Sequence, residues 1–155
     1  ETAANVKEVV AVPDIVTSSC LLWPISKDEH FRLTRVCKED EGVSICAAMS
    51  YSNTKAILIM QQTGFMDSLN AIRAMGSDYN LPVIMFIGLQ GKEPGVTFAL
   101  SEVFGIKIVK SVIDAFGFEY SVLSDIADIN RMAREINLAY SETRPHIFLL
   151  DKDLR

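Results

Sequence analysis

Short apolar runs alternate with longer segments of helical period along the chain. Val6–Val12 (VKEVVAV) predicts a strand ending at Pro13. Asp14 then stands where a helix cap is expected, and the helix runs towards Trp23 and stops before Pro24. Phe31–Val36 predicts a second, less hydrophobic strand. Glu39–Ser52 has helical spacing, and Asn53 suits a left-handed stop. Ala56–Met60 (AILIM) is continuously apolar, as expected of a strand buried on both faces. A helix to about Met75 follows Thr63-Gly64, and Pro82–Gly88 (PVIMFIG) predicts another buried strand.

The loop Leu89–Gly95 leads to a helical region over Thr97–Phe116, with a break expected near Gly105. Glu119–Leu123 predicts a short strand. Ser124–Tyr140 predicts an amphipathic helix with Ile126, Ile129, Met132, Ile136 and Tyr140 on one side. Pro145–Leu150 (PHIFLL) closes the series. Strands alternating with helices predict an α/β fold, a three-layer α/β/α domain around a six-stranded parallel sheet. In such sheets ligands sit beyond the carboxyl ends of the strands. Those ends are Pro13-Asp14, Cys37–Gly42, Gln61–Gly64 and Gly88–Gly91.

A length of 155 residues fits one domain spanning the whole chain, and no internal repeat or linker divides it. The formal net charge of −5 argues against a nucleic-acid partner. No apolar run reaches the roughly 18 residues of a membrane-spanning helix. Cys20, Cys37 and Cys46 are odd in number and lack CxxC spacing, which argues against a disulfide framework or a zinc site and favours a reducing, cytoplasmic setting. No signal peptide is visible, and Glu1 in place of Met suggests that the natural start lies upstream. His30 and His146 offer little for a histidine-based metal site.

The strand-end loops hold few reactive groups. No Ser-His-Asp or Cys-His set assembles from them, and neither GxxxxGK[ST] nor GxGxxG occurs. What remains is Glu41 in KEDEGVSICAA (Lys38–Ala48), Asp14, and the turn Gln61-Gln62-Thr63-Gly64. Glu41 reads either as a solvated acid complementing a helix dipole or as a proton-handling carboxyl at the edge of an apolar helix. Glu39 and Asp40 read as surface charges. Gln61–Gly64 reads as a strand-to-helix turn capped by Thr63, or as one wall of a site.

Four segments in order, VPD (Val12–Asp14), DEGVSICAA (Asp40–Ala48), AILIMQQTGFMDSLNA (Ala56–Ala71) and LPVIMFIGLQGKEPG (Leu81–Gly95), resemble the pyrimidine-binding domain of thiamine-diphosphate decarboxylases. The likeness is nearest to the sulfopyruvate decarboxylase alpha-subunit and phosphonopyruvate decarboxylase families, which read approximately EEGVGIAAG, MQNSGLGNSLNAL and PLLLLIGWRGE. It is colinear from about Val6 to the C-terminus.

The resemblance implies a Rossmann-like domain and a role for Glu41. That carboxyl would hydrogen-bond N1′ of the aminopyrimidine and favour its 4′-imino tautomer, which takes the proton from the thiazolium C2. Carbon dioxide would leave a bound 2-oxo acid because the thiazolium accepts the electron pair. The role requires a carboxyl held out of water and facing the cofactor. Gly42 would allow the cofactor or a neighbouring backbone to come close. The resemblance places Pro13, Gln61, Gln62, Thr63 and Gly64 at the cofactor, and Asp14 and Gln90 at the substrate.

No residue of this chain matches a metal ligand of the family. The family's diphosphate and Mg2+ are held through a GDG motif and a later Asn pair, and GSDYN (Gly76–Asn80) is a poor imitation of GDG. The resemblance therefore implies a hetero-oligomer with a beta subunit that carries GDG and completes the site. Three departures bear on the substrate and on competence. Ser44 and Ala48 replace glycines, Met66-Asp67 replaces Gly-Asn, and Gln90 stands where an arginine is common, which weakens a sulfonate or phosphonate assignment. The alternatives are a phosphonopyruvate decarboxylase or carboligase subunit, or a non-catalytic binding module that kept the fold.

Overall fold

The computed structural model describes residues 4–125 and 128–151. Six strands form one all-parallel sheet: β1 (Glu8–Ala11), β2 (Arg32–Arg35), β3 (Ala56–Gln61), β4 (Ile84–Gly88), β5 (Glu119–Leu123) and β6 (His146–Leu150). Their order is β2-β1-β3-β4-β6-β5. The chain leaves β1 towards β2 and then crosses back to β3, so the winding reverses between β1 and β3. Reversals of this kind open a crevice at the carboxyl ends of the strands. The register there aligns Ala11 with Ile59, and Gln61 with Gly88, which in turn aligns with Leu150.

Strand period sorts the apolar residues into two cores. Val10, Leu58, Met60, Met85, Ile87, Ile147 and Leu149 point to one face. They meet α2 (Glu39–Tyr51), α3 (Gln62–Asp67), α4 (Leu69–Ile72) and α5 (Phe104–Phe116). Val9, Ala11, Ile59, Ile84, Phe86, Phe148 and Leu150 point to the other. They meet α6 (Asp128–Ser141) and the first connection. Strands so covered must be apolar throughout, which is why AILIM and PVIMFIG carry no alternation. At the sheet edge β2 is mostly exposed, and Arg32 there pairs with the buried Glu8 on β1.

Several boundaries differ from expectation. The first connection is a π-helical turn (Ser18–Leu22) running into the short α1 (Trp23–Ile25). Pro24 does not stop it, because the first turn of a helix needs no proline N–H. The helix after β3 is divided at Ser68 and ends in a π-helical stretch, Arg73–Asp78. The region from Thr97 forms a 3-10 turn (Phe98–Leu100), an extended step, and then α5, so the break precedes Gly105. Asn53 adopts the expected left-handed conformation (φ 58°) after α2. On α6, Ile136 is buried and Met132 and Tyr140 are half-buried; Ile126 and the Ile129 side chain lie outside the described residues. Among the described residues, no helix is long and apolar enough to cross a membrane.

Candidate functional site

The loop after β1 is organised by Asp14. Its Oδ1 accepts hydrogen bonds from Val16 N (2.7 Å) and Thr17 N (2.8 Å), and its Oδ2 accepts one from Thr17 Oγ1 (2.6 Å). Both carboxylate oxygens thus cap the turn, as expected of an acid at a helix start. Thr17 is fully buried. A Cβ added at Gly88 would lie 2.9 Å from Thr17 Cγ2 and 3.1 Å from Val16 Cγ1, so glycine at the end of β4 lets the first loop rest on that strand. Pro13 is exposed beside this turn.

The acidic start of α2 divides by helical face. Gly42, Val43, Cys46, Ala47 and Ser50 face the sheet. Glu39 lies one turn before Val43 on that side and is half-buried. Its side chain, from Cγ to Oε1, fills the space that a Cβ on Gly64 would need. Glu39 therefore packs directly on the Gln-Gln-Thr-Gly turn. Glu41 is exposed, and its Oε2 accepts a hydrogen bond from Cys37 N at 3.3 Å. The isolated chain thus does not hold Glu41 out of water, because its position on α2 turns it away from the sheet.

Gly42 serves the core. A Cβ there would lie 2.6 Å from Leu58 Cδ1, so its missing side chain lets α2 approach the sheet side chains. Ser44 and Ala48 are on the exposed face of α2. The thiol of Cys46, on the sheet side, is pushed up to about 12 by burial and stays protonated.

At the carboxyl end of β3, Gln61 is half-buried and its side-chain amide bonds Thr63 Oγ1. Thr63 is exposed and Gly64 buried. Gln62 is buried, and both ends of its amide engage one residue of the next loop. Gln62 Nε2 donates to Gln90 O (2.9 Å), and Gln90 N donates to Gln62 Oε1 (2.7 Å). Met66 packs on the core, and Asp67 is exposed, 3.6 Å from Lys38 Nζ.

The loop after β4 has polar anchors. Lys92 and Asp151 form a largely buried pair at 3.6 Å; Lys92 Nζ donates to Val96 O (2.7 Å), and Phe98 N donates to Asp151 Oδ1 (3.1 Å). The Glu93 carboxylate accepts from Ser101 Oγ (2.6 Å) and Glu102 N (2.9 Å), and these bonds, that from Ser101 first, hold it below the usual carboxylate range. GSDYN is removed from these loops. Asp78 pairs with Arg73, and Gly76 packs against Pro145, just before β6 begins.

The structure thus brings Pro13, Asp14, Gln61, Gln62, Thr63, Gly64 and Gln90 to the carboxyl ends of β1, β3 and β4. Among the described residues no group of His, Cys, Asp and Glu is placed to hold a metal ion.

Several proteins with curated names resemble this chain in sequence. The chain is similar to sulfopyruvate decarboxylases. It is 23% identical over 123 residues to "Sulfopyruvate decarboxylase" of Methanosarcina acetivorans, covering 79% of this chain and 31% of that protein. It is 28% identical over 88 residues to "Sulfopyruvate decarboxylase subunit alpha" of Methanococcus maripaludis, and 26% identical over 88 residues to the protein of that name from Methanocaldococcus jannaschii. Each of these two matches covers 57% of this chain and 52% of the relative, so the chain spans about half the length of the subunit-alpha relatives it matches. No family model matches the chain.

Sequence reasoning read Glu39 as a surface charge and gave no role to Thr17, to the missing side chain of Gly88 or to the Lys92–Asp151 pair. Helical period held the signal for Glu39, which shares a face with Val43 and Cys46. Thr17 stands three residues after the cap candidate Asp14, whereas nothing local marks Gly88 or the Lys92–Asp151 pair, because their partners are distant in the chain.

Proposed function

We propose that this chain is the pyrimidine-binding half of a thiamine-diphosphate-dependent 2-oxo acid decarboxylase of the sulfopyruvate type. Similarity to proteins named sulfopyruvate decarboxylase supports the reaction class. The observation that carries the site is Glu39 folded over Gly64 beside the β1/β3 reversal. A carboxyl there is half-sheltered and stands against the one turn residue that has no side chain to displace it. These residues fit an aminopyrimidine.

The proton-handling role expected of Glu41 passes to Glu39, whose side chain lies on the turn while that of Glu41 faces solvent. Glu39 would hold the carboxyl proton to be shared with a ring nitrogen of a pyrimidine bound there. Gln61 and Thr63 line the approach, and the Gly64 backbone permits close contact. Pro13 closes the side next to β1. Asp14 acts through Thr17, fixing the loop over Gly88, and the Gln90 side chain reaches the substrate. When bound, the coenzyme would supply the sink for the electron pair of the C–C bond that breaks as carbon dioxide leaves.

The diphosphate and its Mg2+ fall to a partner beta subunit with the GDG motif. The "subunit alpha" in the relatives' names supports a two-subunit assembly. The test is carbon dioxide release from a panel of 2-oxo acids by the co-expressed assembly, with and without added thiamine diphosphate. Release that depends on the coenzyme, with sulfopyruvate among the best substrates, is expected. Preference for phosphonopyruvate, or carbon–carbon bond formation, reassigns the substrate. Absence of turnover on every acid overturns the decarboxylase reading in favour of a binding module.

A further inference from the structure

We infer that Gln62 is a positioning residue that sets Gln90 for the 2-oxo acid substrate and makes no contact with the cofactor. The inference rests on the decarboxylase reading above. Gln62 is 4% exposed, and its amide is joined at both ends to the Gln90 backbone. A primary amide matched in this way to one peptide N–H and C=O fixes that residue in distance and in orientation. From another side, Thr17 and Val16 press on Gly88, two residues earlier. Leu89, between these two supports, is buried in the core. The end of β4 is thus gripped on both sides, while the Gln90 side chain remains half-exposed and accepts no bond from Gln62. Beyond Gln90 comes Gly91 at φ 85°, a conformation that suits glycine and lets the chain turn away at once. The geometry therefore presents one neutral amide, that of Gln90, at a fixed place above β4. It suits the carbonyl or anionic end of a small substrate through hydrogen bonds, without a fixed cation.

Gln62→Met keeps the volume and removes both bonds. Gln62→Glu keeps the acceptor for Gln90 N and removes the donor to Gln90 O. In the assembled enzyme, Gln62→Met should speed hydrogen exchange at the Gln90 amide by about tenfold. It should raise KM for the 2-oxo acid by about tenfold and leave kcat within about threefold, since uniform binding is what is lost. Thiamine diphosphate affinity, read by titration, should stay unchanged. Gln62→Glu should fall between wild type and Met in both exchange and KM, and it serves alone if the Met variant does not fold. On a Gln90→Ala background, Gln62→Met should add little further to KM.

Weakened coenzyme binding with unchanged substrate KM overturns the inference and returns Gln62 to the cofactor. Faster exchange at Gln90 with unchanged KM, or unchanged exchange, overturns it as well. A wild-type assembly that decarboxylates nothing removes the functional reading itself, whereas an active wild type with an indifferent Gln62 removes only this inference.

Discussion

On α2 the carboxyls at 39 and 41 are two positions apart, which on a helix is about 200° of rotation. One therefore packs on Gly64 while the other meets solvent and the Cys37 amide. Glu39→Gln should lower turnover of the proposed decarboxylase assembly by on the order of 10²–10⁴. Glu41→Gln should stay within about threefold of wild type, because surface substitutions away from special features change little. Both are read as carbon dioxide release at saturating coenzyme. Gly64→Ala separates stability from activity. The new methyl needs the space held by the Glu39 side chain, a flexible group that can swing away, and Gly64 has no positive φ to strain. Alanine also favours a helix over glycine, by up to about 1 kcal/mol. Denaturation should therefore show stability kept or slightly raised, while turnover falls at least about tenfold because Glu39 is displaced. The acidic cluster was legible in the sequence as a candidate. Which of its members packs on Gly64 depended on that opposing residue, which lies on α3.

Elements were legible wherever their period was clean. The buried runs AILIM and PVIMFIG became β3 and β4, and Glu119–Leu123 became β5 with the expected bounds. The stop at Asn53 followed from local chemistry alone. The segments after β3 and from Thr97 were harder, because hydrogen bonds between side chains and backbone divide them. Ser68 is 1% exposed and turns its hydroxyl onto Gly64 O (2.9 Å) and Phe65 O (3.2 Å), which marks the join between α3 and α4. Bonds to Asp151 and Glu93 hold the extended loop that precedes α5.

Elements are also pinned to one another by single groups. The Tyr140 hydroxyl on α6 accepts from Ala56 N (2.8 Å) at the start of β3, and burial pushes its pKa up to about 12, so it stays protonated. Tyr140→Phe leaves that N–H without its partner and should cost about 1–3 kcal/mol in denaturant unfolding. Asp151→Asn removes the charge facing Lys92 in a largely buried pair. It should loosen the loop after β4, seen as faster hydrogen exchange at Phe98, with unfolding weakened by about 1–3 kcal/mol.

Over the whole molecule, stability should depend on pH through His146 at the entry of β6. It is buried, with Nε2 3.1 Å from Ser121 Oγ and Nδ1 lacking a partner among the described residues. Burial, aided by Arg144 and Arg131 and opposed by Glu135 and Glu119, lowers its pKa below the ordinary value of 6.5. The unfolded chain then binds a proton more readily than the folded one. The stability from neutral His146 is fully present above about pH 6.5 and is lost as pH falls from there towards the depressed folded value. Denaturation midpoints measured on either side of about pH 6.5 should differ, and His146→Gln should reduce that difference.

The sequence by itself determined the α/β class, the parallel sheet and the loops that meet at its carboxyl edge, because apolar period and strand–helix alternation are properties of neighbouring residues. Only the tertiary structure decided that Glu39 lies on Gly64 and that Gln62 holds Gln90. Each of those facts depends on which distant residue fills the facing space, and sheet order and crossover set that across dozens of positions.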